Sequence, residues 1–466
     1  MHTSTTSTVP LVSWTAAQLL EATQGYWLND QAPNTEIKRI LTDSRDAEAG
    51  DAFLALKGER FDAHAFITQV AEQGCQVAIV SQPIDAEICQ LVVPDTRLAL
   101  GQLGAYRRAQ NPQLKVIALT GSSGKTTTKE MLGSILSRIA PTLVTRGNLN
   151  NDLGVPVMLL ELRPEHQYAV MELGASHQGE IDYTSNLVQP LVAGIINIGT
   201  AHLGEFGGRD GICRAKSEIY AHIAPNGTSI VPAADDFADS IRQAVQTEQV
   251  LSFGAGGEIF ATEIELQAQS ATFKLNTPQG VSQVNLPFAG EHNVQNATAA
   301  AAFALAIGIS LDDIVLGLEQ AVGAKGRLNF IQQGRHLLID DTYNANPTSM
   351  RAAAEVLAQQ EGVRVMVMGD IGELGSSAAQ QHYMLGRDLV SVKGLNFVVA
   401  VGEFAPAAQE GARSTQYGKK MQAFLTQEQA LPFLLSLIET HQPQSMSFLF
   451  KGSRYTHMET LMADLM

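Results

Sequence analysis

The chain has 466 residues, 45% of them apolar and 17% charged, with a formal net charge of −16 at pH 7. That length fits about three domains, and the composition excludes a disordered tail, a collagen and a coiled coil. The acidic balance argues against nonspecific nucleic-acid binding and against docking on an anionic membrane surface, so an anionic substrate must be held by local groups.

Three cysteines, Cys75, Cys89 and Cys213, are odd in number and lack metal-ligand spacing, which fits reduced thiols in a reducing compartment. No basic segment followed by an apolar run opens the chain, so no signal peptide is expected. The most apolar long stretch, Val294 to Ser310, is interrupted by Gln295 and Asn296 and reads as a buried helix, not a membrane span. The expectation is a soluble, cytoplasmic protein without membrane insertion. Few aromatics (6%) give no sign of a large obligate interface, which favours a monomer.

Residues 1–112 read as a smaller N-terminal α/β domain. Thr15 and Gln18 form a capping box for a helix running towards Gly25. The apolar runs Phe53 to Leu56, Val77 to Val80 and Leu91 to Val93 alternate with helix-like stretches. A helix over Arg97 to Ala109 places Arg107 and Arg108 near its negative pole, and Asn111-Pro112 breaks the chain.

Residues 113–325 read as a central domain with a mostly parallel sheet. A strand, Lys115 to Thr120, leads through a Gly-rich turn into a helix from Lys125 to Ile139, whose Met131, Leu132, Ile135, Leu136 and Ile139 share one face. Pro141 stops it. The continuous apolar runs Tyr168 to Leu173 and Leu191 to Ile198 suit strands covered on both faces. From Gln249 to Phe288 short alternating strands follow, with a hairpin at Thr277-Pro278-Gln279-Gly280. A helix capped by Ser310 ends near Gly323.

Residues 326–466 read as a third α/β domain of Rossmann-like kind. Its strands are His336 to Ile339, Val363 to Met368, Phe397 to Val401 and Met446 to Phe450, each ending in polar or Gly residues. Ligands sit beyond the carboxyl ends of strands in open α/β sheets, so each end is a candidate site.

The strongest local signal is Thr120-Gly121-Ser122-Ser123-Gly124-Lys125-Thr126-Thr127, between a strand and a helix. Backbone N–H groups there form an anion site at a helix N-terminus. Lys125 would neutralise terminal phosphates, and Thr126 would place its hydroxyl on Mg²⁺. Leu119 stands where a standard phosphate loop carries its first Gly. A motor, a kinase, a switch and a ligase all use such loops, so the reaction depends on what else converges. Glu172 ends a strand and could reach a metal. His202 follows another, and Lys216 lies in Ala215-Lys216-Ser217-Glu218.

The order phosphate loop, Asn148 to Pro156 (NLNNDLGVP), Glu172, His202, Lys216 and then Gly290-Glu291-His292-Asn293-Val294-Gln295-Asn296 resembles the Mur ligase superfamily, which includes folylpolyglutamate synthetase. The resemblance covers essentially the whole chain. Asp340-Asp341-Thr342-Tyr343-Asn344-Ala345-Asn346-Pro347, Gly369-Asp370-Ile371-Gly372-Glu373-Leu374-Gly375 and Leu449-Phe450-Lys451-Gly452-Ser453-Arg454 resemble the members that add D-Ala-D-Ala to a UDP-muramoyl-tripeptide. So do Thr42-Asp43-Ser44-Arg45 and Gly50 to Gly58 in the nucleotide-sugar domain. The Asp-Asn-Pro-Arg phrase of the diaminopimelate-adding relative is absent.

The resemblance implies a ligase that uses ATP to turn a carboxylate into an acyl phosphate. It implies one Mg²⁺ on Thr126 and Glu172 and a second near His202 and Lys216, with Lys216 carbamylated. It implies Asn293 and Asn296 on adenine, with Arg327 and Asp341 closing on the nucleotide. Gly121, Ser122, Ser123, Gly124 and Thr127 complete the ATP loop. For the substrates it implies Ser44, Arg45, Lys57 and Gly58 at the uridine diphosphate end, and Asn151, Tyr343, Asn344, Asn346, Lys451, Ser453 and Arg454 elsewhere. Nothing in these phrases chooses between lysine and diaminopimelate as the third residue of the peptide.

Overall fold

Apolar runs too short for helices become parallel strands here, and the amphipathic stretches between them become the covering helices. The computed structural model describes residues 12–58, 61–200 and 203–465, so His202 lies outside the described residues. The chain divides into two compact units. The first holds the described residues up to Ala118 with Ala140–Gly174 and Asp182–Pro190; the second holds Leu119–Ile139, Ala175–Ile181 and the described residues from Leu191 onward. The strand Lys115–Thr120 begins in the first and ends in the second.

In the first unit a five-stranded sheet runs in the order Tyr26–Trp27, Cys89–Val92, Val77–Val80, Ala52–Leu54, Ile40–Leu41. Only the first pairing is antiparallel. The helix Ala16–Thr23 opens with the expected Thr15–Gln18 capping box. It packs with Thr96–Ala109 on one face of the sheet around Leu19, Leu54, Ile79 and Leu100. Arg107 is buried; its guanidinium lies over the Trp14 ring at 4.0 Å and donates to the Val12 carbonyl at 2.9 Å. Arg108 donates to the Asn111 carbonyl at 3.0 Å, an acceptor it shares with Leu114 N–H just beyond the helix end. The same unit contains the parallel pair Thr142–Val144 and Tyr168–Glu172.

The second unit contains the parallel strands Val192–Ile195, Thr228–Pro232 and Gln249–Phe253. An antiparallel meander follows, Phe260–Leu266, Ala271–Thr277 and Gly280–Leu286, whose second turn is the expected hairpin at Pro278-Gln279. The helix after the phosphate loop ends at Ser137. Met131, Leu132, Ile135 and Leu136 are fully buried, each worth about 1.5–3 kcal/mol. Ile139 lies past the helix end and is 42% exposed, so it leaves the face assigned to it. The Ala-rich stretch forms the helix Glu291–Ala306, almost wholly buried. The Ser310-capped helix stops at Glu319, four residues before Gly323.

The last sheet has six strands, in the order Asn329–Gln333, His336–Asp340, Met446–Lys451, Val363–Gly369, Phe397–Val401, Met421–Phe424. All pairings but the first are parallel. Helices cover both faces. No described helix is long and apolar enough to cross a membrane.

Candidate nucleotide and ligation site

The phosphate loop is shaped by a strand, a left-handed glycine and an asparagine from a distant helix. Gly124 sits at φ +77° and is the N-cap of the helix Lys125–Ser137, with no side chain capping it. A helix N-terminus that opens on a glycine without a side-chain cap suits anion binding. A Cβ on Gly124 would lie 2.2 Å from Asn296 Oδ1, so the loop is in direct contact with the Glu291–Ala306 helix. Asn296 donates to Asn293 Oδ1 at 3.0 Å, and Asn293 donates to the Ala289 carbonyl at 2.8 Å. These two amides, buried and locked, sit where the sequence places the base-binding phrase.

Two of the loop amides are not available to a ligand. Ser122 N–H donates to the Asn197 carbonyl at 3.1 Å, and Ser123 N–H donates to Asn197 Oδ1 at 3.0 Å. Asn197 also donates to the Ser123 carbonyl at 3.0 Å. Sequence reasoning missed this residue; its signal was an amide inside an otherwise apolar run. Lys125 Nζ donates to the Gly121 carbonyl at 2.8 Å. Ser122 Oγ is buried with no hydrogen-bond partner, an orphan that a phosphate oxygen would satisfy.

Residues from the third segment reach the same loop. Arg327 Nη2 donates to Thr126 Oγ1 at 3.2 Å, and its guanidinium lies 4.4 Å from the centroid of the Tyr343 ring. Tyr343 N–H donates to the Gly326 carbonyl at 3.1 Å. Asp341 and Lys451 form a buried ion pair at 2.6 Å. Burial pulls the Lys451 ammonium below the ordinary lysine value, with Asp341 acting in the opposite direction. Thr127 follows Thr126 in the helix Lys125–Ser137. Lys216 lies in the helix Arg209–Ser217 and is 2% exposed.

The remaining candidates of that segment are held locally. Asn346 caps the helix Pro347–Ala358, accepting from Ser349 N–H at 2.8 Å. Asn344 Oδ1 accepts from Ala345 N–H at 2.8 Å. Ser453 Oγ accepts from Gly372 N–H at 2.8 Å and so joins two strand-end loops. Arg454 is exposed and pairs with Glu459 at 2.7 Å.

In the first unit, Glu172 ends its strand 2% exposed. Asn150 Nδ2 donates to Glu172 Oε1 at 2.7 Å, and Oε2 is buried with no hydrogen-bond partner. A carboxylate oxygen in that state fits a hard cation. Asn150 lies inside the NLNNDLGVP phrase but was assigned no role from sequence. Asn151 Oδ1 accepts from Gly154 N–H at 2.8 Å and so starts the next helix. Ser44 and Arg45 lie in a short turn capped by Asp43. The Arg45 hydrogen bond holds the Asp43 carboxyl down at about 2. Lys57 faces Asp62 at 3.8 Å, and Gly58 N–H donates to the Phe61 carbonyl at 2.8 Å.

A strand, a phosphate loop and a helix, approached by an arginine from a following α/β domain, define an ATP-using enzyme of the phosphate-loop class. Three family models match in succession: "Mur ligase family, catalytic domain" over residues 36–118, "Mur ligase middle domain" over 119–304, and "Mur ligase, glutamate ligase domain" over 326–454. The chain is 41% identical to the UDP-N-acetylmuramoyl-tripeptide–D-alanyl-D-alanine ligase of Escherichia coli K12, over 98% of this chain and 99% of that one. It is 32% identical to the ligase of the same name from Bacillus subtilis 168, with the same coverage. A crystal structure of MurF from Acinetobacter baumannii superposes with a TM-score of 0.95 at 76% identity, covering 98% and 99% of the two chains. The MurF ligase of Thermotoga maritima in complex with ADP superposes with a TM-score of 0.79 at 26% identity, covering 92% and 96%. The chain belongs to the Mur ligase family.

Proposed function

We propose that this chain joins D-Ala-D-Ala to the terminal carboxylate of UDP-N-acetylmuramoyl-tripeptide, at the expense of ATP, giving the pentapeptide precursor of peptidoglycan. The observation that carries the reading is the meeting of Thr126, Asn296 and Arg327, far apart in sequence, around one phosphate loop. The near full-length likeness to ligases of that name supports the choice of substrates.

A carboxylate does not condense with an amine in water, because its oxygen is a poor leaving group. In the first step a carboxylate oxygen attacks the γ-phosphorus, the bond to the β,γ-bridging oxygen breaks, and ADP leaves. In the second the dipeptide amine attacks the carbonyl carbon, the bond to the phosphorylated oxygen breaks, and inorganic phosphate departs while the amine loses a proton. Negative charge concentrates on phosphoryl oxygens in both steps. Lys125, Arg327 and the N-terminus of the phosphate-loop helix would neutralise and orient it. Asn293 and Asn296 would seat the base.

Mg²⁺ supplies further neutralisation of those oxygens when bound. The family resemblance implies that Thr126 and Glu172 would be ligands of one ion, and His202 with Lys216 of a second. Carbamylation of Lys216, in which the neutral amine bonds to CO₂ and loses a proton, would turn that side chain into an oxygen ligand of the kind Mg²⁺ prefers. The burial of Lys216 supports this reading, since a carbamate there is shielded from bulk water. We read residues 1–112 as holding the uridine diphosphate end, 113–325 the ATP, and 326–466 the incoming amine. We also read the protein as a cytoplasmic monomer, where ATP and a nucleotide-linked precursor are both at hand.

The test is phosphate release from ATP with both substrates and with each alone, combined with the product mass. Release only with both, and a product equal to the tripeptide nucleotide plus the dipeptide less one water, is the expected result. Preference for a single amino acid would point to a sister ligase instead. Nucleotide binding without product under any amine would point to a binding module.

A further inference from the structure

Lys451 carries a buried charge that the reaction scheme leaves unused. Its side chain ends the strand Met446–Lys451 and is 2% exposed. The ammonium meets Asp341 Oδ2 at 2.6 Å and donates to the Asn344 carbonyl at 2.9 Å. Both partners follow the neighbouring parallel strand His336–Asp340. A desolvated ammonium is strongly unfavourable unless it is paired, so this side chain is committed to those two acceptors.

The other oxygen of Asp341 accepts from Leu328 N–H at 3.3 Å. Leu328 sits at φ +50°, in the left-handed region that residues with a Cβ seldom adopt. The Asp341 bond is therefore a restraint on a strained turn. The residue before it is Arg327, whose Nη2 reaches Thr126 and whose Nε is buried with no partner. A buried cationic N–H without an acceptor, one residue from a fixed turn and beside a phosphate loop, is placed for a phosphate oxygen.

We propose that Lys451 is a positioning residue for the nucleotide: through Asp341 it holds the turn at Leu328, and the turn aims Arg327 at the phosphates. The inference rests on the ATP reading above. It deepens that reading by giving a residue of the Lys451-Gly452-Ser453-Arg454 loop a function at the nucleotide rather than at the dipeptide.

The experiment measures binding of β,γ-methylene-ATP by calorimetry, with Mg²⁺ in excess and neither ligation substrate present, on the full chain. Lys451→Gln is expected to weaken the analogue about tenfold or more. Its KM for D-Ala-D-Ala should stay within about twofold of the parent. Glycine adopts φ > 0 without strain, so in a Leu328→Gly background the penalty of Lys451→Gln should shrink to below about threefold. An analogue affinity within twofold of the parent overturns the proposal, as does a rise confined to the dipeptide KM or a penalty undiminished by Leu328→Gly. If Lys451→Gln does not fold, Lys451→Arg is measured in the same two backgrounds with the same expectations. A parent chain that binds no analogue would instead overturn the ATP reading, whatever the variants do.

Discussion

Asn150 Nδ2 lies 2.7 Å from Glu172 Oε1, and the second carboxylate oxygen of Glu172 is buried without a hydrogen-bond partner. The pair is built by backbone as well as side chains: Gly174 N–H donates to the Asn150 carbonyl at 2.7 Å, and Glu172 N–H donates to Thr145 Oγ1 at 3.0 Å. One oxygen is thus oriented while the other is left free. An outer partner of this kind sets the aim of a ligating carboxylate. Replacing Asn150 with alanine is expected to lower kcat about 10–100-fold and to raise the Mg²⁺ concentration for half-maximal activity. Glu172→Gln should cost more. Steady-state rates over a Mg²⁺ titration check both, and an Asn150→Ala enzyme with parent kinetics would remove the pair from the account.

Gly124 tests the phosphate loop. A methyl group there meets Asn296 Oδ1 at 2.2 Å and must adopt φ +77°. Gly124→Ala is expected to weaken nucleotide binding by about tenfold or more, with a loss of melting temperature of a few degrees. Calorimetry with the ATP analogue and thermal unfolding separate the two effects. Unchanged affinity would mean that the contact of loop and Asn296 does not shape the site.

His292, next to Asn293, gives a pH prediction. Burial first, and then the Lys451 ammonium, push its pKa down to about 4 from the ordinary 6.5. Below pH 6.5 the unfolded chain takes up a proton that the folded chain refuses until about pH 4. Its contribution to stability is therefore complete above pH 6.5 and is lost as the pH falls from 6.5 towards 4. Carboxylates titrate in the same range, so the difference between parent and His292→Gln is the quantity to read. The variant should lose less stability across that window in denaturant titrations; parallel curves would contradict the assignment.

Lys216→Ala tests the carbamate reading. Activity should fall by about two orders of magnitude or more and recover in part with acetate or another short carboxylic acid, which supplies the missing oxygen ligand. Turnover near that of the parent without any additive would show that Lys216 carries no ligand.

How much of this was legible in the sequence depends on whether the deciding interaction is local. Val77–Val80, Lys115–Thr120 and Phe397–Val401 coincide with their apolar runs, because a strand covered on both faces carries its signal in each residue. The Thr15–Gln18 capping box spans only three positions and was equally readable. Asn329–Gln333 was not, since an edge strand with polar residues has no such run. Thr142–Val144 is three residues long, too short to show a pattern. The phosphate loop was visible as a motif, but the loss of two of its amides to Asn197 was not, because their partner lies over 70 residues away in the chain. Lys451 is the same case. Its neighbours suggested a substrate-facing loop, whereas its burial is set by Asp341, 110 residues earlier.

The central claim is that ATP converts the peptide acid into an acyl phosphate. The direct measurement uses UDP-N-acetylmuramoyl-tripeptide with ¹⁸O in its terminal carboxylate, ATP and D-Ala-D-Ala, followed by mass analysis of the liberated phosphate. The account predicts one labelled oxygen in each inorganic phosphate released, matched one for one with the amide formed. Phosphate free of label, with product still accumulating, would contradict it.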